Sequence, residues 1–256
     1  MLTYCFHTHT KRCGHATGED EQYVLEAIKY GIKELGFTDH VFLPYKSQPG
    51  IRGDYSLLDD YLSSLKSLKE KYKDQIRIYI GFECEYYEEY ENYYRHLLDD
   101  KIVDYLILGQ HCYIDENGKF QWYLHQYTPK EDYVRYKDDL IKGIRSGLFT
   151  YVAHPDLFFS SVSDNNEFIV NISKEICKEA EKAKIPLEIN LGGLKYHKNY
   201  PNDLFFSIAR QYNIDFVIGV DAHYPEEFER IKNPDYEEFI ARNHLNVLWD
   251  YRIKKD

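Results

Sequence analysis

Thr3-Tyr4-Cys5-Phe6-His7-Thr8-His9 is a short apolar run that stops on two histidines one residue apart. Six further runs end in the same way, on histidine, an acidic residue or, once, asparagine. Glu34 to Phe37 leads to Asp39-His40, Ile76 to Gly81 to Glu83, Tyr105 to Gly109 to His111, and Thr150 to Ala153 to His154. Leu187 to Ile189 leads to Asn190, and Phe216 to Gly219 to Asp221 and His223. Between these strand candidates the apolar residues recur at helical spacing. Glu19 to Gly31 aligns Tyr23, Val24, Ala27 and Ile28, and Asp54 to Tyr72 aligns Leu58, Leu62, Leu65 and Leu68. Pro129 suits a helix start with Gly147 past its end, Ser173 suits a cap, and a last helix spans Pro201 to Tyr212.

Alternating strands and helices predict right-handed βαβ units on a parallel sheet. An open doubly wound sheet is the rival, but ligands drawn from the whole chain must meet at one point, which a closed barrel achieves. The expected fold is therefore an α/β, TIM-like (β/α)7 barrel with its site at the carboxyl ends of the strands. The chain of 256 residues shows no linker or composition shift, so residues 1–256 are read as a single domain.

Bulk properties exclude several classes. A net charge of −11 argues against broad nucleic-acid binding, which needs a basic surface. No stretch approaches the roughly 18 apolar residues of a membrane helix, and the first residues lack the pattern of a signal peptide. A cytoplasmic protein with no membrane partner is expected. The five cysteines form no C-x-x-C pair and read as small buried side chains, and the 26 tyrosines read as packing.

Residues two apart on a strand share a face, so His7 and His9 can reach one cation, as can Asp221 and His223. Imidazole mixed with carboxylate suits zinc, manganese or iron better than calcium. Nine candidate ligands emerge: His7, His9, His15, His40, Glu83, His111, His154, Asp221 and His223. A catalytic zinc takes about three protein ligands, so two or three ions fit the count. Clustered cations suit phosphoester hydrolysis. His96, His125 and His244 lie away from strand ends and read as structural or solvated.

His7-Thr8-His9, His15, Gly36-Phe37-Thr38-Asp39-His40, Glu83, His111, His154-Pro155 and Asp221-Ala222-His223 together resemble the PHP (polymerase and histidinol phosphatase) domain family. The resemblance covers nearly the whole chain and points to the family's stand-alone phosphatase branch. It implies a distorted seven-stranded barrel holding three divalent ions. One would take His7, His9, Glu83 and Asp221; a second Glu83, His111 and His154; a third His15, His40 and His223. It also implies hydrolysis of L-histidinol phosphate, a small phosphorylated amino alcohol, in histidine biosynthesis. Where relatives tend to carry Ser-Gly-Leu-Arg, this chain has Gly192-Gly193-Leu194-Lys195, which keeps the charge but loses the guanidinium fork.

The expected chemistry is in-line attack on phosphorus by a metal-bridging hydroxide, with Glu83 and Asp221 as the carboxylates of the centre. His197 is the candidate proton donor or phosphate contact. Lys195, Glu85, Tyr113 and Trp122 are candidates for contacting substrate. The rival readings are a PHP phosphoesterase acting on a nucleotide or another phosphomonoester, an amidohydrolase-like C–N hydrolase, and a metal-binding module without catalysis.

Overall fold

The computed structural model describes residues 2–125, 127–162 and 166–253. Four parallel strands run side by side: β1 (Tyr4–Cys5), β2 (Glu34–His40), β3 (Arg77–Cys84) and β4 (Tyr105–Leu108). The fifth predicted strand, Thr150 to Ala153, is short, with Val152 forming its isolated bridges to Leu108 and Leu187. Its neighbours still pair: Thr150 N–H donates to Leu106 O, Leu108 N–H to Tyr151 O and Ala153 N–H to Leu108 O. Val152 N–H donates to Pro186 O and Glu188 N–H to Val152 O, so the segment joins β4 to a second parallel pair. That pair is β7 (Leu187–Asn190) and β8 (Phe216–Gly219), after a two-stranded antiparallel hairpin of β5 (Cys112–Ile114) and β6 (Phe120–Trp122). Thr8 and Ala222 form a parallel bridge, with Asp221 N–H donating to His7 O and His9 N–H to Ala222 O, so the ring closes.

The expected distorted seven-stranded barrel is present, and the distortion has a visible cause. At the amino end the gap between β8 and β1 is wedged by the C-terminal segment. Val247 pairs with Phe216, and the Tyr4 hydroxyl donates to Leu248 O while accepting from Ile218 N–H.

Among the described residues eight α-helices surround the barrel: α1 (Asp20–Lys29), α2 (Leu58–Lys71), α3 (Glu91–Asp99), α4 (Lys130–Ser146), α5 (Glu167–Ala183), α6 (Leu191–Lys195), α7 (Asp203–Ala209) and α8 (Asp235–Asn243). The α1 and α2 stripes bury as the periodicity requires, with Tyr23, Val24, Ala27, Tyr61, Leu62 and Leu65 inside. Ser173 is not a cap. It sits inside α5 with its hydroxyl on Ile169 O, and Asn166 caps that helix by accepting from Phe168 and Ile169 N–H. The sequence reading omits α3, α6, α8 and the hairpin; α6 has five residues and the hairpin strands three each, too few for a periodic signal. None of the helices among the described residues is long and apolar enough to cross a membrane. All five cysteines are buried and free, as expected.

The barrel interior is aromatic. Tyr4 stacks on Phe6, and Tyr79 and Tyr105 meet Phe6 edge-on. Tyr105 fits because its neighbours are Gly36 and Gly81, where a methyl would overlap its ring. Phe6 and His7 both turn inward, so the alternation of β1 breaks between them. The Phe6 carbonyl, left outside the ladder, accepts from the Tyr105 and Tyr151 hydroxyls at 2.9 Å each.

Candidate metal centre

The parallel register sets the first pairing. His40 at the end of β2 lies beside Glu83 near the end of β3, and Gly109, just past β4, leaves the space that the Glu83 carboxylate fills. Five imidazoles surround that carboxylate. His154 Nε2 is 2.8 Å from it, His40 Nδ1 3.3 Å, His9 Nε2 3.4 Å, His111 Nε2 3.5 Å and His7 Nε2 3.6 Å. Asp221 extends the chain of contacts, 3.3 Å from His9 and 3.5 Å from His223 Nδ1, and His223 Nε2 lies 2.9 Å from His15 Nε2. All nine predicted ligands therefore form one connected cluster. His154 and Asp221 hold it with left-handed backbone, φ 28° and 53°, a conformation that costs free energy and is kept where the surroundings demand it.

The electrostatics separate donors from acceptors. Burial opposes ionisation of Glu83, yet His111, His7 and His40 hold its carboxyl well below the usual range. Asp221 is lowered in the same sense by His7 and His9 against its own burial. Burial, reinforced by His223, drives His9 down to about 3, and burial lowers His40 far below its ordinary value. Against their burial, the carboxylates also raise His7 and His111, so those two imidazoles hold protons that a bound cation would displace. Ionised carboxylates and neutral His9 and His40 are already in the states a cation needs.

The orphaned atoms test that fit. Among the described residues the buried His40 Nδ1, 3.3 Å from the Glu83 carboxylate, has no hydrogen-bond partner. The orphaned Nδ1 atoms of His9 and His154 lie on the ring edge away from the Nε2 that faces Glu83. His7 and His9 aim Nε2 at Nε2 across 3.3 Å. Buried polar nitrogens without partners are costly unless a ligand meets them. Ligand atoms of His15, His40 and His223 lie within 4.8 Å of one another, as do those of His7, His9 and Asp221 and those of His7, Glu83 and His154. The donor set suits divalent metal ions.

The cluster forms the base of a cavity of about 600 Å³. The cavity is also lined by Ile51, Trp122, Leu124 and Leu157, and by Tyr196, Lys198, Tyr200 and Tyr224.

The chain matches the PHP domain family over residues 6–192. The chain belongs to the PHP domain family. A probable histidinol-phosphatase of Deinococcus radiodurans is 26% identical over 231 residues, spanning 86% of this chain and 86% of its own. The histidinol-phosphatase of Bacillus subtilis is 27% identical over 252 residues, spanning 85% of this chain and 92% of its own. Among solved structures, the histidinol phosphate phosphatase of Lactococcus lactis, in complex with zinc, L-histidinol and phosphate, has a TM-score of 0.72 at 18% identity. It covers 96% of this chain and 95% of its own, a likeness of fold.

Within this PHP barrel the residues expected to contact substrate are mostly elsewhere. Glu85 does not line the cavity: it is fully buried and ion-paired with Arg52 at 2.8 Å. Tyr113 points into a separate depression, with the Arg135 guanidinium 4.3 Å above its ring. Lys195 is exposed, with Nζ 3.6 Å from Glu229, because α6 turns it outward. His197 is exposed on the turn after α6 at φ 51° and does not line the cavity. Its neighbours Tyr196 and Lys198 do, and Trp122 lies where it was expected. His96 pairs with Asp100 on α3, and His125 and His244 also lie outside the cavity lining.

Glu188 is the residue that the sequence reading missed. It is fully buried, accepts from His7 Nδ1 at 2.8 Å and His154 N–H at 2.9 Å, and occupies space that Gly219 leaves free. The period-two rule could have found it, since Glu188 shares a face with Asn190 on β7.

Proposed function

We propose that this chain is a metal-dependent phosphomonoesterase that hydrolyses L-histidinol phosphate to L-histidinol and phosphate. The observation that carries this reading is the connected cluster of seven imidazoles and two carboxylates, all but His7 lining one cavity. The names of relatives spanning most of this chain supply the substrate. In this reading residues 1–256 act as a single PHP barrel, in the cytoplasm, on a small substrate.

Three divalent ions, zinc, iron or manganese, would be held. His7, His9, Glu83 and Asp221 would take one, Glu83, His111 and His154 a second, and His15, His40 and His223 a third. When bound, such ions neutralise phosphoryl charge and lower the pKa of water for attack on phosphorus. The protein's own groups prepare that chemistry. Glu188 holds the proton of His7 on Nδ1, which turns the Nε2 lone pair toward the centre. Lys198 brings a positive charge to the cavity lining for an anionic substrate.

The test is phosphate release from a panel of phosphomonoesters, with metal content measured on the same preparation. Histidinol phosphate should exceed nucleoside monophosphates in kcat/KM by on the order of 100-fold or more, since a site built to pair with a substrate's polar groups rejects analogues that leave them unpaired. Equal turnover across the panel would favour another phosphomonoester, and no turnover by metal-replete protein would refute the reading.

A further inference from the structure

His111 differs from the other ligands of Glu83 in how the fold delivers it. His40 is set by the β2–β3 ladder, and His7 and His9 by the bridge between Thr8 and Ala222. β4 stops at Leu108, and His111 stands beyond it, at the entrance to the hairpin. Its backbone is tied only loosely, through a 3.4 Å bond from Tyr123 N–H to His111 O. The ring must be oriented from outside the ladder.

The side chain that does so is Glu85, whose Oε1 accepts from His111 Nδ1 at 3.1 Å. Its other oxygen accepts from Arg52 Nη2 at 2.8 Å. Arg52 is itself 2% exposed, which leaves its cation no solvent to rely on. It donates through Nε to Gln48 at 2.9 Å and through Nη1 to Val41 O at 3.0 Å, one residue after His40, and it lies 5.2 Å over the ring of Phe120 in the hairpin. A buried ion pair between two such groups contributes little net stability, because desolvation offsets the attraction. A purely structural purpose therefore accounts poorly for it.

We infer that Arg52 and Glu85 are positioning residues for the metal centre. They fix the His111 proton on Nδ1 and so present the Nε2 lone pair to the Glu83–His111–His154 subsite. The inference rests on the metal centre of the proposed function but not on the identity of the substrate. Carboxylate partners of a ligating imidazole fix its tautomer and raise its basicity, and losing one weakens metal affinity by about 10- to 100-fold. Glutamine at position 85 can turn its amide to donate, which reverses the tautomer.

The experiment is a zinc titration of metal-stripped protein against a chromophoric chelator, without substrate. It uses the wild type, Glu85→Gln, Arg52→Lys, His111→Ala and the double variant His111→Ala/Glu85→Gln. Glu85→Gln and Arg52→Lys should weaken the same zinc equivalent as His111→Ala, the first by about 10- to 100-fold. The double variant should bind no more weakly than His111→Ala alone, because residues acting through one another are not additive. Unchanged zinc affinity with a lowered melting temperature, or additive losses in the double variant, would overturn the inference. Should Glu85→Gln fail to fold, Arg52→Lys decides by the same readout. If histidinol phosphate is not turned over while the zinc coupling is as stated, the substrate assignment falls and this inference stands.

Discussion

On the floor of the barrel the hydroxyls of Tyr105 and Tyr151 donate to Phe6 O, that of Tyr4 to Leu248 O, and that of Tyr251 to Thr150 O. One residue past Phe6 the rim begins, equally buried, where Nδ1 of His9, His40 and His154 has no partner. Both regions bury polar atoms on the same strands. The floor satisfies them internally and gains stability, whereas the rim leaves ring nitrogens unsatisfied and gathers Nε2 of His7, His9, His111 and His154 around Glu83, an arrangement that suits cations. Satisfaction of buried polar groups is the quantity that distinguishes scaffold from site.

The hardest blow to the rim is loss of a shared carboxylate. Glu83→Gln should lower phosphatase kcat/KM on the order of 1000-fold, the upper range for removing one preorganised electrostatic group. Its circular dichroism should stay native, because the floor is untouched; near wild-type turnover by metal-replete variant would break the contrast. Stripping the ions with a chelator should leave a folded protein whose stability rises again on adding zinc. At a free concentration of about 100 times Kd the gain is about 2.7 kcal/mol. Scanning calorimetry with and without zinc checks this, and an unchanged melting temperature would count against metal binding at the rim.

Gly219→Ala places a methyl where the Glu188 carboxylate stands, and so frees His7 Nδ1. Zinc affinity should fall by about 10- to 100-fold. The smallest effects belong to the floor. Tyr105→Phe or Tyr151→Phe alone should cost about 1 kcal/mol in urea unfolding, since the other hydroxyl still meets Phe6 O, and the pair should cost more than the sum by leaving a buried carbonyl unpaired. Zinc affinity should not move in any of the three; if it does, floor and rim are not separable.

The ligands were legible because strand ends announce themselves. An apolar run followed by histidine or acid needs no long-range information, and His7, His9, Glu83 and Asp221 all lie where such runs stop. The fifth strand was legible for the same reason: Thr150 to Ala153 has strand composition, and its backbone pairs with β4 on one side and with the β7 segment on the other. The substrate wall was largely misread. Lys195 and His197 lie in a segment where α6 and the positive φ of His197 decide which side chains turn inward, and local sequence does not encode that choice.

Glu85 and Glu188 mark the limit from another side. Each is an acidic residue two positions from a site residue on a strand, and sequence alone gives it the same face as that residue. Whether it meets a substrate, a cation or another side chain depends on what arrives from elsewhere: Arg52 for Glu85, and His7 and the His154 backbone for Glu188.

The sequence by itself determined the alternation of strand and helix and which imidazoles and carboxylates stand at strand ends, because both follow from periodicities of two and of about 3.6 residues along a single segment. The tertiary structure alone decided how the ring closes at Thr8 and Ala222, which carboxylates orient imidazoles, and which residues wall the cavity. Those outcomes depend on burial and pairing between segments far apart in the chain, and the free energy of such contacts is not written in either partner alone.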